Sequence, residues 1–332
     1  MARRVAAYYA ARDPFADFTT APEITQAFGE CLGAWAAAAW MQMGSPGRVT
    51  LAEAGPGRGT LMADLLRAAA QAAPGFRAAI RLHLVETSAR LRAVQAERLS
   101  AAGPVFHETL GTLPAGPLIL IGNEWLDALP IRQFIRRGGG WHERFVAAVP
   151  GAATDTPAAR PVEAPAEPPL PPLPPDAPEG AIAEICEPAR AAAAGLAARL
   201  ARAPGVALFL DYGPAESALG DSLQAMRAGR AADPFGPDPA DLTAHVDFAA
   251  LAAAARAAGA AAFGPLPQGL FLQRIGLPRR AAMLAAADGP RGARHLAAAA
   301  RLTAPEAMGR LFKALVLSSP GLPPPPGFDA PA

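Results

Sequence analysis

Residues 51–61, LAEAGPGRGTL, place three glycines at alternate positions behind a glutamate. A short apolar run, RVTLAEAG (48–55), leads in, and TLMADLLRAAAQAA (60–73) leads out as a helix with Thr60 as its expected N-cap. A strand that turns through glycines straight into a helix lets backbone N–H groups approach a ligand with no Cβ in the way. The helix start adds partial positive charge, which suits phosphate. A dinucleotide turn reads G-x-G-x-x-G. This one reads G-x-G-x-G, at Gly55, Gly57 and Gly59, with Glu53 two residues ahead. A carboxylate there is awkward for a pyrophosphate and suits a cationic or amino-bearing ligand. S-adenosylmethionine (SAM) offers both, as a sulfonium and a methionyl ammonium.

The rest of the chain supplies a frame for such a turn. AIRLHLVE (79–86), PVFHE (104–108) and GPLILIGNEWLDALP (116–130) read as further strands, and SARLRAVQAERLSA (88–101) as a helix capped by Ser88. This alternation predicts an α/β fold, a mostly parallel sheet with helices on both faces. Apolar positions at helical spacing mark 23–43 as a helix. RQFIRRGGGWHERFVAAV (132–149) reads as a β-hairpin, and 188–202 as a helix before the strand GVALFLDYG (205–213). DLTAHVDFAALAAAARAAG (241–259) begins a further helix, GPLPQGLFLQRIGL (264–277) reads as strand and hairpin, and LFKALVLS (311–318) belongs to the C-terminal α/β elements.

Five regions follow from this pass. Residues 1–47 form an N-terminal helical segment contributing to the site, and 48–149 the first part of the nucleotide-binding core. Residues 150–181 are a proline-rich exposed loop, 182–320 the remainder of the core with insertions that build an acceptor site, and 321–332 a disordered tail.

Composition removes several classes. The formal net charge is +1, so no field singles out nucleic acid, and the fourth strand lacks an N-P-P-Y-like motif. Two distant cysteines give no metal spacing or disulfide frame, which fits a reducing cytoplasm. No apolar run is long enough to span a membrane.

Glu86, at the end of the second strand, can accept from both hydroxyls of a ribose, in SAM and NAD sites alike. Asn123, Glu124 and Asp127 end the fourth strand, and ligands of open α/β sheets sit beyond carboxyl strand ends. Bottom-up, the chain reads as a SAM-type nucleotide site with carboxylates at its rim. An NAD-dependent oxidoreductase would need G-x-G-x-x-G and a hydride-handling pair. A SAM-binding assembly factor without catalysis is the other alternative.

DFTTAPEITQAFGECLGAW (17–35), GPGRGTLMADLLRA (55–68), HLVETSARLRAVQ (83–95), NEWLDALPIRQF (123–134), LDYG (210–213), GDSLQA (220–225) and DLTAHVDFAAL (241–251) occur in this order. Together they resemble the MidA-like family of class I SAM-dependent methyltransferases, over roughly residues 8–318. The family tends to carry two phenylalanines where this chain has Trp125 and Leu126. The resemblance implies a Rossmann-like core, SAM as cofactor, and a protein substrate methylated on arginine. Mitochondrial members of the family act on a subunit of a respiratory complex. Cofactor binding then falls to Glu53, Gly55, Gly57, Gly59, Glu86 and Asn123, with no metal. A protonated guanidinium calls for carboxylates that grip its fork. Glu124, Asp127 and Glu23 are the candidates, with His245 as orienting or proton-carrying group. Asp127 and Glu23 also fit helix caps, and His245 also fits a buried structural histidine. Asp211 and Tyr212 end the fifth strand and line the acceptor channel or pack beneath it.

Overall fold

The computed structural model describes residues 1, 4–5, 8, 19–148, 159–236 and 240–329. A short helix α1 (Ala21–Ile24) and a long helix α2 (Gln26–Gln42) precede strand β1 (Val49–Ala54). Helices α3 (Thr60–Ala72) and α4 (Pro74–Ala79) lead to β2 (Ile80–Val85), and α5 (Ala89–Arg98) to β3 (Val105–His107) and β4 (Leu118–Asn123). Four strands, β5 (Arg132–Arg137), β6 (Gly140–Ala148), β7 (Ala159–Pro165) and β8 (Ile182–Ile185), then form a separate antiparallel sheet ordered β7-β6-β5-β8. Helix α6 (Glu187–Leu200) returns to the main sheet at β9 (Gly205–Tyr212). A three-stranded excursion follows, β10 (Gln224–Arg227), β11 (Arg230–Ala232) and β12 (Asp241–Thr243). The chain ends with α7 (Phe248–Ala257), β13 (Ala261–Pro267), α8 (Gln268–Arg274), α9 (Leu277–Ala287), α10 (Ala293–Thr303) and β14 (Phe312–Ser318).

The central seven-stranded sheet is ordered β13-β14-β9-β4-β1-β2-β3. β14 runs antiparallel to both neighbours, and the strands from β9 to β3 are parallel. Every residue of β1 and β4 is buried, as a sheet covered on both faces requires. Alternate side chains feed opposite cores. Leu51, Ile119, Ile121, Leu208 and Leu210 pack with α2, α3 and α8, whereas Leu118, Leu120, Ala207 and Phe209 pack with α6 and α7. Register aligns Ala54 with Val85 and Gly122, and Asn123 with Leu210. The segments leaving β1, β2, β4 and β9 therefore start at one level on one edge.

Helix α2 lies close against α3 because two of its residues lack side chains. A Cβ on Gly29 would stand 2.7 Å from the Asp64 Cβ, and one on Gly33 2.9 Å from the Leu65 carbonyl oxygen. Buried Glu30 ties this pair to α9, accepting from Arg67 and from Arg280 Nε, each at 2.6 Å.

Five local expectations need correction. Thr60 is the first helical residue rather than the cap, because Gly59 occupies the cap position with a left-handed backbone. Residues 159–165 of the proline-rich stretch form β7, while 150–158 lie outside the described residues. Residues 241–243 are a strand, and the helix there starts only at Phe248, capped by Asp247 accepting from the Ala250 N–H. Residues 268–274 are helix α8, not the second arm of a hairpin. The C-terminal stretch is no loose tail as far as Asp329. Trp35 Nε1 donates to the Pro326 carbonyl at 3.0 Å, and Phe328 is buried against Phe271. Residues 330–332 lie outside the described residues. No helix among the described residues is long and apolar enough to cross a membrane.

Candidate active site

Beyond the carboxyl edge of the sheet lies a cavity of about 950 Å³. Its walls come from the loops after β1, β2, β3 and β4, from α1, and from the start of α6. The glycine turn forms one wall. Gly55, Gly57 and Gly59 all have left-handed backbones, with φ of 65°, 54° and 74°. Side chains other than glycine are strained in that region.

Glu53 ends β1 beneath this turn and is 3% exposed. Its Oε2 is buried and has no hydrogen-bond partner among the described residues. Burial pushes the carboxyl up to about 8. An uncompensated buried carboxylate is costly, and a cationic ligand removes that cost.

Glu86 stands across the cavity, just after β2. Its Oε1 accepts from the Ser88 N–H at 2.7 Å, and its Oε2 from Gln95 Nε2 at 3.3 Å. The same Gln95 nitrogen donates to the Gly57 carbonyl at 2.7 Å. One fully buried amide thus fixes both the glycine turn and the acid opposite it. Sequence reasoning did not single out Gln95. The available signal was a glutamine four residues after Leu91, on the apolar face of α5.

At the end of β4, Asn123 and Glu124 both line the cavity. Glu124 has φ of 50°, a conformation costing a non-glycine residue roughly 1–3 kcal/mol. Its Oε1 accepts from the Ala21 N–H and from Asn123 Nδ2, both at 3.0 Å. Its Oε2 has no partner among the described residues. Burial pushes this carboxyl up, against the two donors. Glu23, on α1, also lines the cavity and accepts from the Thr60 hydroxyl at 2.6 Å.

Asp127 and His245 stand elsewhere. Asp127 is buried under the loop and does not line the cavity. Burial, then the charges of Asp211, Glu124 and Asp241, hold its carboxyl well above the usual carboxylate range. Enclosed away from the cavity, this carboxyl does not face the space a guanidinium would occupy. His245 is exposed, set edge-on to the Tyr212 ring at 5.6 Å, outside the cavity. It shares no wall with the glycine turn.

Asp211 does not line the cavity; it anchors the loop that does. Its Oδ2 accepts from the N–H groups of Trp125, Leu126 and Asp127 at 3.1, 2.9 and 3.2 Å, and its Oδ1 from that of Tyr212 at 2.9 Å. These bonds hold Glu124 in its strained conformation. Asp211→Ala takes this acceptor from four backbone N–H groups and is expected to cost about 2–4 kcal/mol. A thermal melt checks this, with Asp211→Asn expected to lose less because it keeps an acceptor at the same place.

The Glu53–glycine–Glu86 arrangement fits SAM by its own chemistry: an orphaned acid for an ammonium, a turn cleared of Cβ atoms, and a second acid for a ribose. No cluster of His, Cys, Asp or Glu among the described residues is arranged to hold a metal.

Comparison with known proteins agrees. The family model described as "Putative S-adenosyl-L-methionine-dependent methyltransferase" matches residues 31–266. The chain is 32% identical to the protein arginine methyltransferase NDUFAF7 homolog, mitochondrial, of Drosophila melanogaster, covering 94% of this chain and 78% of that one. It is also 32% identical to mouse protein arginine methyltransferase NDUFAF7, mitochondrial, over 89% of this chain and 73% of that one. A crystal structure from Burkholderia thailandensis bound to S-adenosyl-homocysteine superposes with a TM-score of 0.77 at 29% identity, covering 95% of this chain and 83% of that one. The turn, the two acids and these similarities converge, and the chain belongs to this family of S-adenosyl-L-methionine-dependent methyltransferases.

Proposed function

We propose that this protein methylates a side-chain nitrogen of a protein substrate, that of an arginine. The observation that carries the reading is a second pair of carboxylates on the cavity wall, Glu124 and Glu23, beyond the pair that suits SAM. The names of the relatives support the same acceptor. The resemblance extends the proposal to a respiratory-complex subunit as substrate. Free thiols at Cys31 and Cys186 suit the cytoplasm we assign to it, and the mitochondrial names of the relatives mark the rival compartment.

Bound SAM supplies an electrophilic methyl group on a sulfonium. The chain's own residues have three tasks. Glu124 Oε2 accepts from the guanidinium fork and turns one nitrogen toward the methyl, while Glu23 draws positive charge to the other side of the fork. A guanidinium has a pKa above about 12 and is not deprotonated in advance. With the methyl C–S bond breaking as the C–N bond forms and a neutral thioether left behind, the extra proton on the methylated nitrogen would pass to Glu124 Oε2, whose affinity for protons is raised by burial. The walls at Leu129, Pro130, Pro188 and Ala192 flank the aliphatic stem and limit water.

The test is transfer of labelled methyl from SAM to lysate proteins, followed by hydrolysis and identification of the labelled amino acid. Methylarginine supports the proposal. Label confined to lysine, carboxyl groups or nucleic acid rejects it.

A further inference from the structure

We infer that the indole N–H of Trp125 holds the carboxylate at the methionyl end of SAM. The inference rests on the reading of this cavity as a SAM site. It begins with an imbalance of charge. Among the described residues, five glutamates line the cavity, Glu23, Glu53, Glu86, Glu108 and Glu124, against one cationic side chain, Arg58. The amino-acid end of SAM carries an ammonium and a carboxylate. Glu53 suits the ammonium, and the carboxylate needs donors beside the same turn.

Trp125 offers one at that place. It lines the cavity and is half-buried. Its Nε1 donates to no described residue, unlike the indoles of Trp35 and Trp40, which both have carbonyl partners. The nitrogen is also not sealed off, since it is absent from the buried, unpartnered polar atoms. Its position is set by the ring. A Cβ built on Gly55 would lie 2.8 Å from Trp125 Cδ1, the carbon bonded to Nε1. The Cδ1 edge of the indole, next to Nε1, therefore borders the first glycine of the turn, two residues along from Glu53.

The ring is fixed in that pose. It stacks on Phe209, with planes 18° apart and centroids at 6.4 Å. Gly122 leaves room beneath it, where a Cβ would meet Phe209 Cδ1 at 2.9 Å and Trp125 Cε3 at 3.8 Å. The backbone N–H of Trp125 is tied to Asp211. An N–H held this firmly loses little entropy on binding. A phenylalanine, the residue the resembling family tends to carry here, would fill the same wedge and offer no donor. The contact is thus a feature of this chain's own sequence.

The test compares SAM with decarboxylated SAM, which lacks only the carboxylate, by calorimetric titration of the wild-type chain and of Trp125→Phe. A hydrogen bond to a charged group corresponds to roughly tenfold or more in affinity. The expected result is a loss of about that size for SAM in Trp125→Phe, with decarboxylated SAM unchanged within about twofold. Equal loss for both ligands would mean the ring only packs, and no loss for either would mean the N–H holds nothing. Both outcomes overturn the inference. A thermal melt of Trp125→Phe shows that the wedge is kept. Failure of the wild-type chain to bind SAM at all would overturn the cofactor reading itself, so the two failures are told apart.

Discussion

Glu124→Gln is expected to lower kcat for protein methylation by about 10²–10³-fold while changing the affinity for S-adenosylhomocysteine less than about threefold. The amide keeps the length of the side chain, and its oxygen still accepts from the Ala21 N–H at the position Oε1 holds now. The loop therefore stays in place, anchored independently by Asp211. Two properties disappear, the negative charge at the fork and the basic oxygen that receives the proton. Both act on the transition state more than on cofactor binding, so the loss falls on kcat. Glu23→Gln is expected to follow in the same direction with a smaller loss, because Glu23 shares its charge with the Thr60 hydroxyl. Single-turnover kinetics with a methylatable peptide, paired with calorimetry, checks both. A kcat within threefold of wild type for Glu124→Gln would remove this residue from the chemistry.

The sheet and the cofactor side of the cavity were legible because local rules and the fold agree there. β1, β2, β4 and β9 are apolar runs ending in polar residues, as buried parallel strands are. The three glycines form the strand-to-helix turn that their spacing suggested, and all three take a left-handed backbone there. β7 was hidden by Pro161 and Pro165, since proline removes a ladder donor. It survives because β7 is the edge of its sheet, where that donor is not needed. The 321–329 stretch reads as a tail by its prolines, yet the Pro324 and Pro326 carbonyls accept from Gln42 and Trp35. Proline forfeits a donor and keeps its acceptor, so low complexity did not mean lack of contact. Asp127 and Asp211 were indistinguishable as strand-end acids. Only their depth separates them from Glu124, and depth is a property of how β4 and β9 align, which no local pattern records.

Binding of S-adenosylhomocysteine at pH 6.5 is expected to release close to one proton, and Glu53→Gln is expected to abolish that release and weaken binding about 10–100-fold. In the free protein, burial pushes the Glu53 carboxyl up to about 8, so it is protonated at this pH. An ammonium placed against it favours the carboxylate and drives the proton off. The ligand's own amine titrates near 8, so at pH 6.5 it is already charged and contributes little. Affinity is accordingly expected to rise as pH increases from 6 toward 8, approaching tenfold per unit while Glu53 must ionise to bind. Stability of the free protein moves the other way. The raised carboxyl keeps its proton when folded and loses it when unfolded, so this contribution declines as pH rises from the ordinary glutamate range toward 8. Titrations in two buffers of different ionisation enthalpy count the protons directly. Release that persists in Glu53→Gln would assign the proton to another acid, Glu86 being the next candidate on the cofactor side of the cavity, since burial raises its carboxyl too. A wild-type count near zero would mean that Glu53 does not meet the ammonium, and the orphaned oxygen at the floor of the cavity would need another ligand group to explain it.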